Sequence, residues 1–345
     1  INSSGGWDRN TTASQITPPN ALQAEKNDNR NQNFGSHLRL TADLGYGLTA
    51  QAFGAYTYNS NENAQFAPTW VWAQGQAWRG ETKQETWLGN LSLSYHHNWN
   101  NKHNLKLTAL TEYEATKTRG FWTSVKGLTT NTLGYNNLAG AVTVPYGLTG
   151  SSYDNPKLLS FMVGAEYTFL DRYTINANAR VDGSSMVSKD NRWGFFPSVS
   201  LSWDVMKEKF MQEQRIFSRL LLRTGYGLTG NLGAISSYNS LNMLRPDGAV
   251  PWNGSAAVTY SLNHNVNPDL KWETRGTFNI GADMGFWHDR LIVTAEYYYS
   301  RTWDMLYDYD VPVPPFTYDK LLANLGKMSN QGFEIGASIT PIQKR

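Results

Sequence analysis

With 345 residues, a net charge of +2 and no cysteine, the chain offers no disulfide framework, no thiolate metal site and no electrostatic case for nucleic acid as a partner. Charged residues make up only 17 %, aromatics reach 13 %, mean hydropathy is −0.50, and no run of about 18 apolar residues exists, so a spanning helix is excluded. A spanning β-barrel escapes that exclusion, because only alternate residues of each strand meet lipid.

Residues 1–29 are polar and irregular and are expected to form a loop. Strands are predicted at 30–44 and 46–60, separated only by Gly45. The stretch 61–83 is long and carries Trp70, Trp72 and Trp78. Strands at 84–97 and 103–118 flank a short turn at 98–102. In the second of them Leu105, Leu107 and Ala109 alternate with Asn104, Lys106 and Thr108. Residues 119–156 form another long connection, with Trp122, Tyr135 and Tyr146. Strands at 157–170 and 172–184 meet around Asp171. Here the alternation is strict: Tyr173, Ile175, Ala177, Ala179 and Val181 fall on one face, and Thr174, Asn176, Asn178 and Arg180 on the other. A period of two with one apolar and one polar face marks a strand.

A strand at 194–204 follows the connection 185–193, and 205–216 holds a predicted helical turn at 207–211 before the strand 217–229. After the long connection 230–271 comes a strand at 272–286, in which Phe278, Ile280, Ala282 and Met284 alternate with Thr277, Asn279, Gly281 and Asp283. Trp287, His288 and Asp289 make a short turn into the strand 290–303. The connection 304–327, rich in Asp, Tyr and Pro, leads to a strand at 328–341, where Phe333, Ile335, Ala337 and Ile339 alternate with Glu334, Gly336, Ser338 and Thr340.

Most of these strands exceed both the mean soluble strand of about 5–6 residues and the roughly 9–11 needed to cross a bilayer. Short turns alternate with long loops, the signature of outer-membrane barrels. If the short side is periplasmic, the first strand runs inward and 1–29 belong to an extracellular loop. The last strand also runs inward, so closing these strands on themselves needs a parallel seam, whereas single-chain bacterial barrels keep an even, antiparallel count. The expected fold is all-β: a transmembrane antiparallel β-barrel segment of about 11 strands, with 1–345 forming part of one larger barrel.

Four blocks add a resemblance. The first is Arg180-Val-Asp-Gly-Ser-Ser185, followed by Asn191-Arg-Trp-Gly-Phe-Phe-Pro-Ser-Val-Ser-Leu-Ser-Trp203. The second is Leu222-Arg-Thr-Gly-Tyr-Gly-Leu-Thr-Gly-Asn231. The third is Asn267-Pro-Asp-Leu-Lys-Trp-Glu-Thr274, leading to Asn279-Ile-Gly-Ala-Asp283 and Tyr297-Tyr-Tyr-Ser-Arg-Thr302. The fourth is Asn324-Leu-Gly-Lys-Met-Ser-Asn-Gln-Gly-Phe-Glu-Ile335. In this order and spacing they resemble the SusC/RagA family of TonB-dependent outer-membrane transporters of Bacteroidetes, whereas residues 1–150 match it only in pattern. The resemblance implies a barrel of about 22 strands around a plug. It also implies a segment that contacts the TonB complex, a SusD-like lipoprotein over the extracellular mouth, and import of glycans or oligopeptides. No plug domain, TonB-contacting segment or set of final strands is recognised in 1–345, so the chain is expected to be the middle of such a barrel.

Other motifs have plainer readings. Gly225-Tyr-Gly-Leu-Thr-Gly230 matches a dinucleotide-binding pattern, but that chemistry needs a helix immediately after it, and Asn-Leu-Gly-Ala-Ile-Ser-Ser is a poor one. Glycines that leave room beside aromatic rings are the expectation. His96, His97 and His103 flank a turn, yet adjacent strand residues point to opposite faces, so His96 and His97 do not easily share a metal. Asp182 with Glu296, or Asp283 with Glu334, has no spacing that implies a glycosidase pair, and lumen-facing hydrogen-bond networks are expected instead.

No catalytic residue, cofactor or metal is assigned. Trp99, Trp203 and Trp287 fit an interfacial girdle on the short-turn side. Aromatics within the long loops fold those loops or stack on a substrate or partner. Trp70, Trp72, Trp122, Trp252 and Tyr309 are the candidates for such contacts. The expected function is an outer-membrane importer embedded in outer-membrane lipid; the alternative is a passive porin or adhesin-type barrel.

Overall fold

The computed structural model describes residues 25–69, 71, 74–144 and 149–342. Its elements in chain order begin with β1 (Lys26–Gly45), β2 (Leu48–Ala67), β3 (Gln76–Trp99), β4 (His103–Leu128), β5 (Ala141–Thr143) and β6 (Thr149–Asp154). There follow β7 (Lys157–Phe169), β8 (Tyr173–Ser184), β9 (Trp193–Asp204), β10 (Phe217–Asn231), β11 (Leu244–Trp252) and β12 (Ser255–Leu262). The last are β13 (Glu273–Phe286), β14 (Leu291–Trp303), β15 (Leu306–Asp310), β16 (Lys320–Asn324) and β17 (Lys327–Ile339). No helix among the described residues is long and apolar enough to cross a membrane.

One sheet orders its main strands β1-β2-β3-β4-β7-β8-β9-β10-β13-β14-β17, with β5 and β6 attached to β4. These are the eleven strands expected from the sequence, each displaced by a few residues at its ends. The largest difference is in the first four. β3 begins at Gln76 and β4 runs on to Leu128, because their loop-side ends pair beyond the point where alternation stops. Of the expected N-terminal loop, residues 1–24 lie outside the described residues, and Lys26–Asn29 belong to β1. The helical turn expected at 207–211 is a pair of short 3-10 turns, Val205–Lys207 and Lys209–Met211.

The fold divides into two compact units: Ile1–Leu38 with Gly54–Leu88 and Ala115–Asn155, and Arg39–Phe53 with Gly89–Glu114 and Pro156–Arg345. The first is organised around buried Phe66, Ala77, Val125 and Leu128, against which Tyr135, Leu138 and Ala141 pack. Gly75 and Gly127 turn the chain there at positive φ. The second holds the strand bodies from β7 onward and a loop core described below.

Register in the second unit fixes two faces. Across β8 and β9, Tyr173 opposes Trp203, Ile175 opposes Leu201 and Ala177 opposes Val199, while Asn176 opposes Ser200 and Asn178 opposes Ser198. Across β13 and β14, Phe278 meets Tyr299 and Ile280 meets Tyr297, and β14 continues the row with Tyr297 to Phe333 and Ala295 to Ile335. The apolar row is exposed: Ile175, Val199, Leu201, Ile280, Phe333 and Ile335 all face outward from the sheet. A sheet whose apolar face is uncovered and whose polar face is internally bonded inverts the soluble arrangement and suits lipid on the apolar side.

The short turns have left-handed backbone. Asn100 and Asn101, Leu170 and Asp171, and Trp287 to Asp289 all have positive φ, the sign that primed two-residue hairpin turns demand.

Candidate functional site

The connections of the second unit on the long-loop side form an ordered body. Val187, Leu232, Ile235, Leu270, Leu306 and Leu322 make its buried core, with Met186 and Trp272 packed against it. Leu270 is wholly buried. The hairpins β11–β12 and β15–β16 are part of the same connections, where the sequence predicts loop.

Asparagines hold this body together. The Asn265 amide donates to the carbonyls of Tyr318 (2.6 Å) and Lys320 (2.8 Å), and its Oδ1 accepts from the backbone N–H of Thr317 (3.1 Å) and Tyr318 (3.2 Å). Asn267 donates to the Leu322 carbonyl at 3.0 Å. Asn324 closes a reciprocal pair with Lys271: its Oδ1 accepts from Lys271 N at 2.8 Å and its Nδ2 donates to Lys271 O at 2.9 Å. Such side-chain bonds satisfy backbone groups that strands or helices satisfy elsewhere.

The four sequence blocks converge on this body. Asn191 donates to the Asp269 carbonyl at 3.2 Å, and the Trp272 indole donates to the Arg192 carbonyl at 3.0 Å, joining the first block to the third. Asn231 donates to Glu273 at 3.1 Å, joining the second to the third, and Asn324 joins the fourth. These motif residues build the loop scaffold rather than a ligand cradle. Asn265 was missed by sequence reasoning, since a lone Asn in a loop carries no periodic signal. The glycines of the second block lie within β10, and a Cβ at Gly230 would stand 2.2 Å from the Phe196 ring, which packs edge-on against Trp272 at 5.5 Å. Gly230 therefore leaves room for rings as expected, whereas Gly225 and Gly227 stand close to Asn279, Ser200 and Ser198 instead.

On the polar face, Arg223 stands between Glu296 (2.6 Å) and Asp283 (3.4 Å). Asn279 donates to Glu296 at 3.3 Å and Thr294 to Asp283 at 3.0 Å. Arg180 pairs with Asp182 (2.7 Å) and Glu112 (3.2 Å), and donates to Ser160 at 2.9 Å. The carboxylates weighed as acid pairs are thus tied to arginines, or in the case of Glu334 lie opposite Glu296 in register. Asp182, Asp283 and Glu296 thus form a charge-paired polar face.

The histidines are separately engaged: His96 with Asn104 at 3.0 Å, His103 with the Tyr167 hydroxyl at 2.7 Å, and His97 against the Trp99 ring at 4.4 Å. On the short-turn side, Trp99 and Trp287 are exposed, while Trp203 stacks with Tyr173 at 6.3 Å and donates to Glu208 at 3.2 Å. Glu208 also accepts from the Tyr173 hydroxyl and pairs with Arg172 at 3.1 Å. The Tyr173 hydrogen bond foremost, then Trp203 and Arg172, holds the Glu208 carboxyl below the ordinary carboxylate range.

Trp70 and Trp72 lie outside the described residues. Trp122 sits in β4 with its ring over Gly150 of β6, leaving it 38 % exposed. Trp252, at the tip of the β11–β12 hairpin, is 73 % exposed. Tyr309 donates its hydroxyl to the Leu325 carbonyl and meets Tyr307 edge-on at 5.6 Å; Tyr307 is the more exposed ring. Trp252 and Trp122 are exposed, the latter with its ring packed on Gly150, and Tyr309 packs on Tyr307.

Comparison with known proteins places this geometry. A TonB-dependent receptor named P3 from Formosa agariphila is 30 % identical over 342 residues, covering 96 % of this chain and 33 % of that protein. The TonB-dependent receptor SusC of Bacteroides thetaiotaomicron is 35 % identical over 187 residues, 54 % of this chain and 19 % of that protein. The chain thus spans about a third or less of the curated relatives it matches. Among solved structures, the RagAB peptide importer in its closed-closed state superposes with a TM-score of 0.86 at 24 % identity, over 96 % of this chain and 36 % of that one, a likeness of fold. Residues 2–340 match the family described as TonB dependent receptor-like, beta-barrel. The match spans nearly the whole chain, its antiparallel sheet is of the kind a β-barrel is made from, and the chain belongs to that family.

Proposed function

We propose that the chain is part of the barrel of an outer-membrane importer of glycans or oligopeptides, driven through the TonB complex and lidded by a SusD-like surface lipoprotein. The family's barrels reside in the outer membrane, and their role is transport rather than catalysis. The observation that carries the reading is the sorting of the sheet. In the second unit its apolar face is offered to lipid, its polar face is lined by Arg223 and Arg180 with their carboxylates, and the long connections of that unit fold around one buried core. A passive porin needs no such ordered loop body, and family membership disfavours it.

In this reading the loops are extracellular, β1 and β17 pair with further strands of the parent receptor, and the exposed β11–β12 hairpin offers Trp252, Tyr260 and Val258 to cargo or lid. Flat rings flanked by polar groups suit both sugar faces and peptide side chains. The test is alanine replacement of Trp70, Trp72, Trp122, Trp252 and Tyr309 one at a time in the full-length receptor, scored by lid-protein pull-down and cargo binding. Trp252→Ala is expected to weaken one of the two by about 2 kcal/mol, as buried aromatic anchors do. If all five leave both unchanged while the barrel assembles, the binding role of these loops is wrong.

A further inference from the structure

The apolar face carries its own charged site. Along β8, β9, β10, β13, β14 and β17, the described residues that share this face are apolar, aromatic or neutral polar until the long-loop end is reached. There Arg301 follows Tyr297 and Tyr299 on β14, and Lys327 opposes Trp303 from β17. The two cations are diagonal neighbours, since Arg301 opposes Ser329. Together with Tyr226, Phe278, Tyr299 and Trp303 they line a concavity of about 600 Å³ floored by Gly276. A Cβ at Gly276 would lie 3.0 Å from the Trp303 ring and 2.8 Å from the Tyr226 hydroxyl, so the glycine keeps the floor open.

Both cationic side chains are exposed, and among the described residues neither makes an ion pair or a side-chain hydrogen bond. Asp304 also lines the concavity, but its carboxylate is held by Lys271 at 3.0 Å. The local balance is therefore positive. On the opposite face, by contrast, Arg223 and Arg180 are matched by carboxylates. Two cations without a carboxylate partner above an aromatic floor, on a face that is otherwise apolar, suit a ligand that is anionic at one end and hydrocarbon at the other. The level on the strands adds to this: the site lies at the loop-side rim of the apolar row, where headgroups rather than acyl tails meet a barrel.

We propose that this concavity binds the phosphorylated headgroup of an outer-leaflet glycolipid of the lipid A type. Arg301 and Lys327 pair with its phosphate, and Tyr226, Phe278, Tyr299 and Trp303 pack against its sugar and the first methylenes of its chains. The proposal rests on the membrane-facing reading of the apolar row but not on the cargo or the lid.

The test uses the delipidated full-length receptor in detergent, titrated by native mass spectrometry with monophosphoryl lipid A and with the same lipid stripped of its phosphate. The phosphorylated form is expected to bind about tenfold more tightly, and Arg301→Ala with Lys327→Ala to abolish that difference. The comparison of the two lipids on the unmodified protein stands even if the double variant does not fold. Equal binding of both lipids overturns the proposal. So does displacement of the bound lipid by millimolar inorganic phosphate, which would mark a free-phosphate site. A cysteine-labelling result that puts Ile335 in water would instead remove the membrane-facing reading itself.

Discussion

Two kinds of polar residue organise the second unit at the level of single side chains. Asn265 and Asn324 satisfy loop backbone, the first with four bonds to residues 317–320. Glu208 instead gathers side chains, accepting from Tyr173 and Trp203 and pairing with Arg172, so that the segment after β9 is fastened to the turn between β7 and β8. Lys207 reinforces it by donating to the Asp171 carbonyl at 2.7 Å. Because the folded carboxyl of Glu208 titrates below its unfolded value of about 4.3, its contribution is fully present above that value and is lost as pH falls through the lower folded pKa. Amide hydrogen exchange at 204–211, corrected for intrinsic rates, is expected to rise between pH 5 and 3 in the native protein. In Glu208→Gln the corrected rate should not change over that interval; an identical rise in both would remove Glu208 from the account.

At the level of elements, the short hairpins depend on backbone that side chains resist. The turn between β1 and β2 runs Gly45, Tyr46, Gly47 at φ of 82°, 52° and 80°. A Cβ at Gly47 would fall 2.0 Å from the His96 carbonyl oxygen, which is main chain and cannot swing aside. The same Gly47 carbonyl accepts the His96 N–H at 2.8 Å, so the turn is clasped to the end of β3. Gly47→Ala therefore meets both a disfavoured φ and a backbone clash, and is expected to destabilise by about 1–3 kcal/mol. Gly45→Ala has the φ penalty alone, with nothing within 4 Å of its Cβ. Urea titration of refolding into detergent micelles distinguishes them: Gly47→Ala should shift the midpoint further than Gly45→Ala.

For the whole molecule, the decisive property is which face of the sheet meets lipid. The chain has no cysteine, so single cysteines can be introduced without background. Cysteines at Asn176 and Asn178 are expected to react with a water-soluble maleimide in intact membranes, and those at Ile175, Ala177 and Ala179 to stay unlabelled. A one-residue register shift would exchange the two sets, since every side chain changes face with it. It would also bring Arg180 and Asp182 to the lipid side and part Arg180 from Glu112 on β4, and an arginine near the midplane costs about 2–4 kcal/mol. Labelling of the apolar set, with the polar set protected, would overturn the facing.

The positions of the main strands and their two faces were legible in the sequence because alternation is local: Tyr173 to Val181 announces strand and orientation without knowledge of any partner. The sorting of short and long connections was legible for the same reason. The glycine-rich run in β10 was also readable, once the absence of a following helix set the dinucleotide pattern aside. What the loops do was not. β12 alternates Val258, Tyr260 and Leu262 with Ala257, Thr259 and Ser261, but its partner β11 contains Pro246 and Pro251 and β15 contains Asp308, which propensity assigns to turns, so neither hairpin is announced by both of its strands. That the Trp122 ring lies over Gly150, 28 residues on, is decided only by the pairing of β4 with β6. Asn265 gains its role from backbone more than 50 residues away, and Arg301 and Lys327 become one site only when β14 and β17 pair. Periodicity is encoded between neighbours in the chain, whereas these groups answer to partners that only the folded sheet and its loops bring together.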